Sequence, residues 1–161
     1  MTMSYLLLKF VHVASVILFV GNITTGVFWG MHAHKSRDFN QIASTFEGII
    51  RADRVFTTPG IIGLVVSGII AAMVGQLSIL GTGWILWGIV LLVTAGAVFG
   101  RKVAPLQREI VKLARAADSS DTRWQGYEQV YRGWVRWGLV ALVAPAVAVL
   151  IMVMKPQLPA F

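Results

Sequence analysis

Long uncharged runs alternate along this chain with segments rich in lysine and arginine. Phe10 to Met31 contains no Asp, Glu, Lys or Arg, and His12 is its single ionisable residue. Val55 to Gly100 carries neither charge nor histidine. A spanning helix needs ~20 mostly apolar residues, so that stretch is too long for one helix and suits two with a turn. Gly75, Gln76, Ser78, Gly81, Thr82 and Gly83 supply the turn. Trp137 to Met154 is a further uncharged run. The pattern predicts an all-α fold, a four-helix transmembrane bundle, with spans at roughly 5–31, 57–75, 82–103 and 132–154 in one domain covering 1–161.

The segments between the runs are amphipathic rather than plain coil. Phe39, Ile42, Phe46 and Ile49 recur at spacings of three and four, which predicts an amphipathic helix. Leu106, Ile110 and Leu113 form one stripe, with Arg108, Lys112 and Arg115 on another, so the third span is expected to run on as an amphipathic helix. Trp124, Tyr127, Tyr131 and Trp134 share a face amid arginines, as expected of an aromatic belt at headgroup level. Thr57 or Thr58 followed by Pro59 reads as an N-cap opening the second span. Pro145 is expected to kink the last one.

Composition agrees with a membrane protein: 57% of the 161 residues are hydrophobic and 13% charged, against about 25% charged in soluble domains. No cysteine is present, which removes disulfides, thiolate metal sites and a cysteine nucleophile. The net charge of +7 would suggest nucleic acid in a soluble chain. Here Lys35, Arg37, Arg51 and Arg54 fall between the first two spans, and eight more basic residues fall in 101–136. Lys9 and Lys155 are the two exceptions, at the opposite ends of the first and last spans. One-sided basic loops are expected to stay cytoplasmic, placing both termini outside a bacterial inner membrane. No basic stretch precedes the first run and no A-x-A-like site follows it, so the first helix is expected to be retained.

Candidate chemistry concentrates in few places. Lys9 and His12 lie on one helix face, three residues apart. Lys9 reaches the interface by snorkelling. His12 sits deeper and needs a partner: a structural hydrogen bond, an iron or metal, or a proton relay. His32 and His34 are ~30 Å along the same helix, so one haem cannot use both ends. Lys155, Met152, Met154 and Met73 are expected near His12's depth and are candidate second ligands. Arg51, Asp53 and Arg54 crowd the basic mouth of the second span, as an Asp–Arg cluster or a pocket for anionic lipid or propionates. Gly26 with Gly30, and Gly96 with Gly100, form GxxxG pairs, which pack helices within the bundle or join a homodimer. No GxSxG, HExxH, P-loop, Rossmann or nucleic-acid motif appears, so no catalytic residue is assigned.

The stretches "LLKFVHVASVILFVGN", "MHAHKSRD", "RADRVFTTPG", "GWILWG", "VAPLQ", "YEQVYRGWVRWG" and "MVMKP" resemble, in order, a bacterial family of four-span integral membrane proteins defined as a domain of unknown function. The Lys-x-x-His opening, the "TPG" start and the lysine-proline ending are also distantly similar to the haem-binding membrane protoporphyrinogen oxidases. Copper-resistance membrane proteins are similar in architecture. That resemblance implies a b-type haem on His12 and a functional lysine, to which Lys9 and Lys155 both correspond in general pattern. The chain has "RGWVRWGLVALVAP" where the oxidase carries Asn-Glu-x-Pro before its last span, so the resemblance points to haem binding more than to porphyrinogen oxidation. Two functional expectations follow. One is a membrane protein binding haem through His12 for a redox role, with the bilayer and a porphyrin as partners and no nucleic acid. The other is a non-enzymatic component for assembly or metal handling, with His12 structural.

Overall fold

The computed structural model describes residues 3–116 and 121–161. α1 (Met3–Ser36) runs from the end bearing the N-terminus to the basic end, about 50 Å at ~1.5 Å per residue. Arg37, in a left-handed conformation (φ 55°), stops it. Asp38 then caps α2 (Phe39–Ala52), its carboxylate accepting from the Asn40 N–H at 2.8 Å. α2 passes through a π-helical turn, Asp53–Thr57, into α3 (Thr58–Val74), so the chain is helical from Phe39 to Val74. After a turn, α4 (Gly83–Val98) returns and a second π-helical turn, Phe99–Val103, leads into α5 (Ala104–Arg115). α6 (Asp121–Met154) closes the bundle. Four helical rods are thus long and apolar enough to cross a membrane, as the uncharged runs predict.

The described residues contain helices and no strands. From the second rod on, the rods exceed the apolar runs because the amphipathic stretches join the spans end to end. The two faces predicted from spacing are correct: Ile42, Phe46 and Ile49 of α2, and Ile110 of α5, are buried. A cap at Thr57 or Thr58 is not formed. The backbone is already helical at Thr57 (φ −66°, ψ −50°), and its hydroxyl donates to Asp53 at 2.9 Å instead of capping. Nor are the four aromatics a belt. Tyr127, Tyr131 and Trp134 are buried, packed with Phe39 and Phe46 in the main core at the basic end.

Away from that core the bundle is two helix pairs. α1 packs on α3 and α4 on α6, while among the described residues α3 and α4 do not pack together. Each pair closes on small residues: Gly60 meets Phe19, Gly63 meets Ser15, and Gly88 meets Met152. The large side chains there, such as Phe10, Ile17, Val93 and Leu150, are exposed on the protein surface and suited to lipid. The GxxxG pairs divide. Gly30 is buried with no room for a Cβ against Trp134 and Phe46, an intramolecular role, whereas Gly96 and Gly100 are exposed with open space beside them.

Candidate functional site

His12 lies on α1, half-buried against α3, its ring in the notch left by Gly68. Its Nδ1 is 3.0 Å from the Leu64 carbonyl oxygen and 3.3 Å from Ser67 Oγ. The same hydroxyl is close to the Gly63 and Leu64 carbonyls, which accept its proton. A carbonyl at 3.0 Å demands a proton on Nδ1, so a neutral His12 carries its lone pair on Nε2. This is how metal-bound histidines are held: one nitrogen donates to a carbonyl and the other is left for the metal. Lys9, one turn outward, is exposed, with its ammonium 5.9 Å from the Tyr5 ring centroid.

The candidate second ligands stand elsewhere. Met152 packs its methyl group on Gly88, and Lys155, exposed, lies 5.3 Å over the Trp84 ring; both contacts are with α4. Met154 and Met73 are exposed. His12 therefore belongs to one helix pair and the α6 candidates to the other. Among the described residues no group of three or more His, Asp or Glu side chains is placed to hold a metal ion.

A second polar site occupies the junction of the spans with the basic end. Asp53, 8% exposed, is held by neutral donors from three places. Asn22 Nδ2 of α1 donates to Oδ1 at 3.0 Å, Thr57 Oγ1 to Oδ1 at 2.9 Å, and Gln107 Nε2 of α5 to Oδ2 at 3.1 Å. Asn22 Nδ2 also lies 2.9 Å from Thr57 Oγ1. The expected Asp–Arg cluster is corrected here. Arg51 and Arg54 are exposed while Asp53 is buried, as expected for side chains one and two residues apart on a helix, which do not share a face. π-helical turns recur at functional sites, and both of those among the described residues reach the same small cavity, lined by Asp53 of the first and Phe99 and Val103 of the second.

The cluster uses residues that the sequence does not single out, Asn22, Gln107 and Thr57 as a ligand of Asp53, while Trp134 of the predicted aromatic face lines the adjoining cavity. An asparagine in the middle of an apolar run is the available signal, since amides inside membranes join helices. The remaining histidines separate. His34 stacks on Tyr131 (3.9 Å between centroids, 8° between planes), with Nδ1 3.0 Å from the Tyr127 hydroxyl. His32 is exposed beside Trp29. Arg115 and Glu47 form a two-pronged exposed pair joining α5 to α2.

The chain belongs to the family described as "Predicted integral membrane protein (DUF2269)", whose model matches residues 6–156. Neither the curated proteins nor the solved structures contain a significant match.

Proposed function

We propose that this member of the family is a multi-pass protein of the bacterial inner membrane that binds one b-type haem through Nε2 of His12 for a redox role. The observation that carries the reading is the His12 Nδ1–Leu64 carbonyl contact, which fixes the tautomer and points to Nε2 as a neutral donor. His12, with its Nδ1 hydrogen-bonded to the Leu64 carbonyl, would hold the haem iron through Nε2. Met152 and Lys155 belong to the other helix pair, so the reading needs no second protein ligand. Bound haem supplies one-electron chemistry; the protein supplies the imidazole, its orientation and an apolar surround. Both termini lie on the periplasmic side in this reading, because the basic segments are the cytoplasmic ones. Titration of the detergent-purified protein with hemin tests it. Saturable uptake near one equivalent, with a shifted Soret band, is expected, and absence of uptake overturns it.

A second reading makes the protein a non-enzymatic membrane component for assembly or metal handling, with His12 tying α1 to α3. The supporting observation is the notch at Gly68, which seats the ring against α3 beside Ser67. Under that reading, loss of the imidazole weakens the α1–α3 contact and leaves any bound chromophore unaffected.

A further inference from the structure

Trp134 is 2% exposed, and its indole N–H has no hydrogen-bond partner among the described residues. A buried donor without an acceptor is costly and calls for an explanation, of which an internal water is one. Trp134 lines a cavity of about 20 Å³ together with Asn22, Asp53 and Gln107. A cavity above roughly 10–15 Å³ with two or more polar partners accommodates one water molecule.

Counting lone pairs shows how such a water would be held. Asp53 Oδ1 accepts from Asn22 and Thr57, and Oδ2 accepts from Gln107. A carboxylate has about four acceptor sites, so one remains, on Oδ2. We propose that this cavity binds one water molecule between Trp134 Nε1 and Asp53 Oδ2, making Asp53 a proton-exchanging site inside the bundle. The water accepts the indole N–H and donates to the carboxylate. When a proton arriving from outside the cavity is passed through the water to Oδ2, the water is left neutral and the resulting O–H donates back to it.

The donor set selects a proton over a metal ion. Asn22, Thr57 and Gln107 all direct hydrogens at the carboxylate, and Trp134 adds another donor, so their polar groups repel a cation. The surroundings do not fix the charge by pairing. α1 presents Asn22 and Gly26, the second π-turn Phe99 and Val103, α5 Gln107, and α6 Trp134, Gly138 and Ala141, none of them titratable. On its own element Arg51 and Arg54 are exposed, as are Arg108 beside Gln107 and Arg136 beside Trp134. A groove of about 280 Å³ between α1 and α2, reaching Thr25, Trp29 and Thr45, shares Asn22, Gly26 and Ile49 with the cavity. Those shared residues are the partition between the site and the surface, and one of them has no side chain.

Infrared difference spectroscopy of the full-length protein, stepped between about pH 4 and pH 10, tests this. A carbonyl band of a protonated carboxylic acid should titrate in the wild type and be missing from Asp53→Asn. Trp134→Phe keeps the aromatic packing but removes the N–H that holds the water. It should raise the midpoint of that band by at least about half a pH unit, since the ionised form loses a donor. If Asp53→Asn does not fold, Gln107→Met decides, because withdrawing one donor from Oδ2 must raise the same midpoint. No titrating band dependent on Asp53, or a midpoint indifferent to Trp134→Phe, overturns the proposal.

Discussion

Asn22 places one amide nitrogen 3.0 Å from Asp53 Oδ1 and 2.9 Å from Thr57 Oγ1, so one side chain of α1 holds both ends of the first π-helical turn. This contact anchors the first span to the second where the two helix pairs converge on the basic-end core.

Removing a donor from Asp53 should therefore cost more than removing its basic neighbours. Gln107→Leu leaves a buried, charge-bearing oxygen without its partner and should destabilise the protein by about 1–3 kcal/mol. Arg51→Gln and Arg54→Gln, at exposed positions, should stay within about 0.5 kcal/mol. Thermal unfolding in one detergent, followed by tryptophan fluorescence, compares the three. Equal losses would return Asp53 to an arginine cluster.

The core at the basic end should dominate stability. Phe46→Ala deletes a side chain of 0% exposure that meets Trp134 edge-on at 4.9 Å, and should cost about 3–5 kcal/mol. Phe10→Ala, at 69% exposure, should change the midpoint little, because lipid or detergent fills the space. The same thermal melts read both variants.

The glycine pairs should differ in the same way. Gly30→Leu forces a branched side chain into Trp134 and Phe46 and should cost at least about 1–3 kcal/mol by overpacking. Gly100→Leu meets open space and should leave the monomer's melting midpoint unchanged. A changed elution volume for Gly100→Leu, with an unchanged midpoint, would show that this face carries a contact between copies.

What the sequence displayed and what it hid have a common physical cause. Charge-free runs and one-sided lysines and arginines report directly on the cost of placing charge in lipid, so the four rods are legible in the sequence. Ile42, Phe46, Ile49 and Ile110 obeyed helical spacing and are buried where that spacing puts them. The π-helical turns were not legible, because one residue inserted into a helix leaves no compositional trace. Helical spacing alone sets Asp53 on a different face from Arg51 and Arg54, whereas its neutral partners Asn22, Thr57 and Gln107 come together only through tertiary packing. The aromatic residues of α6 share a face as their spacing predicts, but that face packs in the core rather than at the interface; tryptophan and tyrosine near arginine look alike in either place. His12 was visible as a lone ionisable residue, while its tautomer needed the position of the Leu64 carbonyl.

Topology is open to a direct check. The basic segments between spans should be cytoplasmic. A C-terminal alkaline phosphatase fusion should be active and a C-terminal fluorescent-protein fusion dim. The opposite pair of results would place His12 in the cytoplasmic leaflet.

The central claim, that Nε2 of His12 is a haem ligand, rests on one measurement above the others: the dithionite-reduced minus oxidised spectrum of protein purified from haem-replete membranes. Wild type should give the α and Soret bands of a b-type haem. Lys9→Gln should keep them, because Lys9 is exposed at the interface. His12→Ala should abolish them while the protein still inserts and melts cooperatively. A wild type that is colourless and takes up no added hemin, or a His12→Ala variant that keeps the bands, would contradict the account and leave His12 as the tie between α1 and α3.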